Sequence, residues 1–189
     1  MMTLPIYVYG WPLLRKRSDE IAPDYTGLQQ LIATMYETMY QAEGCGLAAP
    51  QIGLNLRLIV IDGAPLYDEE KPDETLKTFK KVLINPEIIE RTGDEWAHNE
   101  GCLSFPTIRE SVKRPAKVKI KYMDENFQPH CDEFTNMAAR IIQHEYDHIE
   151  GTFFIDRISP LRRKLITAKL NAVAKGNVDC AYKIKVYKK

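Results

Sequence analysis

The chain has 189 residues, 44% hydrophobic and 28% charged, which suits one domain (1–189) with its own core and leaves no need for a second. No run approaches the ~18 uninterrupted apolar residues of a membrane span. The opening Met1 to Gly10 lacks a signal peptide's basic start and long apolar core, so a cytoplasmic protein is expected. Basic and acidic residues balance at 26 each, which argues against steering toward DNA or a membrane by net charge. The balance is uneven, though: Leu161 to Lys189 hold nine Lys or Arg against one acid, Asp179. Cys45, Cys102, Cys131 and Cys180 are expected as free or metal-bound thiols at a cytosolic address.

In chain order, a first helix is expected from about Tyr25 to Gln41. Leu28, Leu31, Ile32, Met35 and Met39 form its single apolar stripe, and Gly44 and Gly46 stop it. Short β-branched segments follow at Leu56 to Ile61, Lys81 to Asn85, Glu87 to Arg91 and Ala116 to Met123. The last alternates Val118, Ile120 and Tyr122 with Lys117, Lys119 and Lys121. Asp68 to Glu74, with Pro72, reads as an exposed loop. A second helix spans Thr135 to Glu150 and ends at Gly151. A third runs from Leu161 to Lys175 after Ser159-Pro160, and Tyr182 to Tyr187 alternates as a possible last strand. The expected fold is α+β: short, mostly antiparallel strands around a central helix, plus a C-terminal helix.

That central helix carries His144-Glu145-Tyr146-Asp147-His148. Residues four apart lie on one face, so two imidazoles can grip one metal ion, and Glu145 can take a proton from water there. An open catalytic site needs a third protein ligand. Downstream of His148 there is no histidine, and Leu161 to Lys175 carry no acid. Upstream, Cys102 within Glu100-Gly101-Cys102-Leu103-Ser104 is a candidate, with His98 and His130 as competitors. A third segment, Gly44-Cys45-Gly46-Leu47-Ala48-Ala49-Pro50-Gln51, is tight enough to lie along a ligand.

Taken in order, these three segments resemble the signature motifs of the peptide deformylases, over Gly44 to Gly151. The opening Pro5 to Lys16 is also similar to that family's N-terminal region. The resemblance implies a metal-dependent hydrolase that removes the formyl group from the N-terminal methionine of nascent polypeptides and releases formate. It implies Cys102, His144 and His148 as ligands of one divalent ion, with iron(II) favoured and zinc, nickel or cobalt compatible with the same donors. It implies Glu145 as general base, and the Gln51 amide and Leu103 backbone N–H as donors to the oxyanion. Gly46 would pair with the substrate main chain.

Met137 and Ile141 share a helix face with His144 and, with Cys45, are candidates for the methionine slot. Glu100 and Asp147 are expected to orient ligands or to pair with Arg109 or Arg114. The chain departs from the family pattern at Thr107 after Pro106, at Asn136 near a frequent glycine, and at Ile149 in place of leucine.

Two rivals make distinct predictions. An ordinary metallopeptidase would place its third ligand after His148. A non-enzymatic, metal-stabilised ribosome-associated module would close its site with His98 or His130 and would not need Glu145 or Gln51. The basic helix with Arg162, Arg163, Lys164, Lys169 and Lys175 is compatible with ribosomal RNA. Its plainer reading is a solvated face on a helix packed through Leu161, Leu165, Ala168 and Ala172.

Overall fold

The structure, a computed structural model, describes residues 3–70 and 73–188. Its elements are β1 (Ile6–Tyr7), α1 (Leu28–Gln41), β2 (Gly46–Ala48), β3 (Leu58–Asp62), α2 (Glu74–Lys77), β4 (Lys80–Gly101), β5 (Arg109–Met123), β6 (Pro129–Thr135), α3 (Asn136–Ile149), α4 (Pro160–Leu165), α5 (Thr167–Lys175) and β7 (Ile184–Lys185). The antiparallel sheet has the order β2-β3-β4-β5-β6, and β1 and β7 form a separate parallel pair. This is the expected α+β architecture.

Burial explains the sequence of each strand. β3 reads Leu-Ile-Val-Ile because both its faces are covered: Leu58 and Val60 pack with Met35 and Met39 of α1, while Ile59 and Ile61 pack with Ala139 and Ile142 of α3. β5 is buried on one face only, so Val118, Ile120 and Tyr122 meet α3 and the lysines between them face solvent. Each large side chain withdrawn from water in this way contributes ~1.5–3 kcal/mol. A third apolar cluster joins Val8 and Leu14 near the N-terminus to Phe105, Ile108, Phe153, Phe154, Ile166, Leu170 and Val173.

Several boundaries differ from expectation for local reasons. α1 starts at Leu28 because Gly27 is left-handed (φ 80) after a turn in which the Tyr25 N–H donates to Ala22. The turn after α1 uses Glu43 at φ 55 rather than a glycine, and Gly46 enters β2. The two strands expected at Lys81 to Asn85 and Glu87 to Arg91 are one 22-residue strand, β4, with register shifts. Asn85 sits at φ 50 in the first irregularity, where its side chain bonds both the N–H and the carbonyl of Ile21. Pro72 of the expected loop lies outside the described residues; Asp68 to Glu70 are exposed, and Glu74 opens the one-turn α2.

The expected third helix is two helices broken at Ile166, whose side chain turns into the core and starts the buried stripe Ile166, Leu170, Val173. Leu161 and Leu165, expected to pack, are 69% and 64% exposed. β7 falls within the expected Tyr182 to Tyr187 segment. No helix among the described residues is long and apolar enough to cross a membrane.

Candidate metal centre

α3 lays Ala138, Ala139 and Ile142 against the sheet, so its remaining flank presents His144 and His148 one turn apart, with ring centroids 5.2 Å from each other. Cys102 stands at the end of β4, in the loop that returns to β5. Its Sγ lies 3.2 Å from His148 Nε2, and ligand atoms of Cys102, His144 and His148 all fall within 4.8 Å of one another. His144 Nδ1 is 2.9 Å from Glu100 Oε2, which leaves Nε2 for an ion. Burial pushes His148 down to about 3, so its ring stays neutral and keeps a lone pair to donate. A thiol and two imidazoles that converge in this way fit one divalent transition ion.

A buried ionic frame holds these donors. Arg114, 1% exposed, donates from Nε to Glu100 Oε1 (2.7 Å) and from Nη1 to Asp147 Oδ2 (2.8 Å). Glu100 also receives Arg140 Nη1 (2.6 Å), and Asp147 receives Arg157 Nε (2.6 Å). Burial alone would raise the Glu100 carboxyl, but hydrogen bonds from His144 and Arg114 hold it well below the usual carboxylate range. Asp147 is likewise lowered, burial being outweighed by Arg157 and Arg114. Sequence reasoning left Arg109 or Arg114 open as the partner of these acids, and it is Arg114 that bonds both. Arg140 and Arg157 escaped it, although a lone arginine four residues before His144, between Met137 and Ile141, is a visible signal in retrospect.

A cavity of about 450 Å³ opens beside the donors, and Cys45, Gly46, Gln51, Leu103, Met137, Ile141 and Glu145 all line it with Cys102 and His144. Every residue predicted as ligand, base, oxyanion donor or substrate contact is therefore at the cavity except His148, which is 2% exposed. Glu145 Oε2 is buried without a partner, and burial pushes this carboxyl up to about 7. Gly46 is obligatory: a Cβ there would stand 2.4 Å from Glu145 Oε1. Burial followed by the Glu145 charge pushes the Cys45 thiol up to about 12, so it lines the cavity as a neutral group. Gln51 Oε1 accepts from the Ala48 N–H (2.9 Å), which aims Nε2 at Ser104 Oγ (3.3 Å) and Cys102 Sγ (3.7 Å). The Leu103 N–H has no backbone acceptor among the described residues. His98 lines the cavity but stands outside the ligand cluster, and His130 pairs with Asp124 at 2.9 Å.

An α+β fold with this helix, this loop thiol and a buried carboxylate beside them defines the metal-dependent hydrolase class. The model of the polypeptide deformylase family matches residues 3–164. A peptide deformylase of Christiangramia forsetii is 50% identical over 97% of this chain and 96% of its own length, and one of Flavobacterium johnsoniae is 48% identical over the same shares. Among solved structures, a peptide deformylase from Legionella pneumophila superposes with a TM-score of 0.79 at 36% identity, covering 93% of this chain and 98% of that one. A plant enzyme of that name from Arabidopsis thaliana, in complex with an inhibitor, gives 0.80 at 35% identity, covering 92% of each chain. The chain belongs to the peptide deformylase family. The deformylase reading thereby prevails over the non-enzymatic module.

Proposed function

We propose that this chain, as one domain of residues 1–189 in the cytoplasm, hydrolyses the formyl amide at the N-terminal methionine of nascent polypeptides. In this reading Cys102, His144 and His148 hold one divalent ion, iron(II) in preference to zinc, nickel or cobalt. Such an ion supplies Lewis acidity to a water and to the formyl oxygen. Glu145 takes the water's proton as the new C–O bond forms and delivers it to the amine nitrogen as the C–N bond breaks, releasing formate. Gln51 Nε2 and the Leu103 N–H donate to the formyl oxygen as it gains charge. Cys45, Met137 and Ile141 receive the methionine side chain. Gly46 pairs with the peptide backbone, which agrees with the position of β2 at the edge of the sheet.

The observation that carries this reading is Glu145 Oε2, buried and unpartnered beside three converging ligand atoms. Formate release from formyl-Met-Ala-Ser, with metal content measured on protein purified without oxygen, is the test. Fast release by the parent and a fall of roughly 10²–10⁴ in Glu145→Ala at equal metal loading is expected; no release from a fully metallated parent would sink the proposal.

Ribosome contact through the basic helices is a further part of it. Arg162 and Arg163 are paired with Glu110 and Asp156, which leaves exposed Lys164, Lys169 and Lys175 as the available cations among the five. Co-sedimentation with ribosomes should weaken in the double variant Lys164→Glu, Lys169→Glu, and an unchanged profile would remove this part.

A further inference from the structure

The loop that carries Cys102 and Leu103 is gripped by the far end of the chain. Tyr182 lies beyond the segment matched by the family model, two residues before β7. Its hydroxyl donates to the Leu103 carbonyl at 2.8 Å, and its ring packs with Leu103 on the α1 side of the core and lines the cavity. Burial, then the neighbouring Cys102 and Cys180, raise the pKa of this phenol, so it remains an O–H donor. The segment around it is anchored at several points. Ile184 pairs with Ile6, the Ile6 N–H donates to the Lys183 carbonyl (2.9 Å), and Trp11 Nε1 donates to the Lys185 carbonyl (2.8 Å). The next loop residue, Ser104, is held by the same flank, its carbonyl accepting the Tyr9 N–H at 2.9 Å.

We propose that Tyr182 is a positioning residue for deformylation: by fixing the Leu103 carbonyl it completes, with the Phe105 N–H on the Cys102 carbonyl, the grip on both peptide planes of Leu103 and so steadies its N–H beside Cys102, while its ring walls the groove. The Leu103 N–H lies in the same peptide plane as the Cys102 carbonyl, which accepts the Phe105 N–H at 2.9 Å, and Tyr182 holds the next plane. With both planes gripped, φ and ψ of Leu103 are fixed and the N–H cannot swing off its target. Among the described residues the Leu103 carbonyl has no other partner, and Ser104 is held by Tyr9 and Gln51. This inference rests on the donor role given to Leu103 above.

The test is Tyr182→Phe, which keeps the ring and removes only the hydroxyl. Steady-state deformylation of formyl-Met-Ala-Ser by metal-loaded protein should show kcat lowered roughly five- to tenfold with KM within about twofold of the parent. A role confined to stability would lower Tm and leave kcat per metal unchanged, and that result would overturn the proposal. Trp11→Phe, which frees the Lys185 carbonyl without touching the cavity, should lower kcat by a smaller factor, about twofold to threefold, at unchanged KM. It decides the matter if Tyr182→Phe does not fold, because an unchanged kcat there also overturns the proposal. A metal-loaded parent that releases no formate would instead defeat the deformylase reading itself.

Discussion

The two halves of the ligand set are held by opposite means. His144 and His148 sit on one helix, where their spacing follows from the 3.6-residue turn and their depth from Ala138, Ala139 and Ile142 on the sheet. Cys102 sits on a loop whose shape comes from borrowed contacts: Gln51 from the segment after β2, Tyr9 from the N-terminus and Tyr182 from the C-terminus. That loop also contains Thr107 at φ 66, a β-branched residue in the left-handed region, which costs roughly 1–2 kcal/mol and must be held by its surroundings. A helix carries its own geometry, whereas a loop is only as exact as what grips it.

Arg114 spans the two halves, bonding Glu100 at the end of β4 and Asp147 on the helix, so it offers the largest break. Arg114→Met leaves two buried carboxylates short of a partner and should cost about 3 kcal/mol or more in chemical denaturation. Metal retention after dialysis should fall with it, because His144 then loses its fixed Glu100 neighbour. Gly46→Ala attacks the helix half alone. Its methyl meets Glu145 Oε1 at 2.4 Å, so the carboxylate must move, and kcat should drop on the order of 10²-fold while the metal content holds. Retained activity there would mean that Glu145 tolerates displacement.

The smallest effect lies near the chain ends, away from both halves. Asp156 joins Arg15 to Arg163 of α4. Burial alone would raise its carboxyl, but the Arg15 hydrogen bond and the charges of both arginines hold it below its usual value. Because the folded value is the depressed one, this stabilisation is present above the unfolded pKa of ~3.9 and is lost as pH falls through the folded value. Asp156→Asn should therefore cost about 0.5–1 kcal/mol at pH 7, converge with the parent once pH has fallen through the depressed folded value, and leave kcat unchanged.

What the sequence made legible follows the same division. The i, i+4 histidines, Glu145 between them, and Ile141 and Met137 one and two turns earlier were readable because helix periodicity is local. Cys102 stood among competitors until three motifs were taken together, since no local rule brings a residue 42 positions upstream to His144. Arg157 and Tyr182 gave no signal, because their partners are fixed by tertiary packing alone. The broken C-terminal helix misled for a related reason. Leu161 and Leu165 continue a helical stripe in the sequence, yet the break at Ile166 turns the buried face toward Ile166, Leu170 and Val173. Thr107 and Asn136, noted only as departures from a family pattern, prove to be left-handed positions at φ 66 and 51, the conformation that glycine adopts without strain.

The parallel pairing of β1 with β7 gives the molecule a temporal order. Ile6 and Ile184 are far apart in the sequence, so their contact closes a long loop and cannot form until Ile184 has been made. The helix with its two histidines can form from a short stretch, well before that. During its own synthesis, a polypeptide of this kind thus acquires its paired imidazoles first and gains the clasp over its thiol loop only after Tyr182 and Ile184 have been added. By this ordering, an enzyme that trims the beginnings of other proteins completes its own site with residues made after its metal ligands.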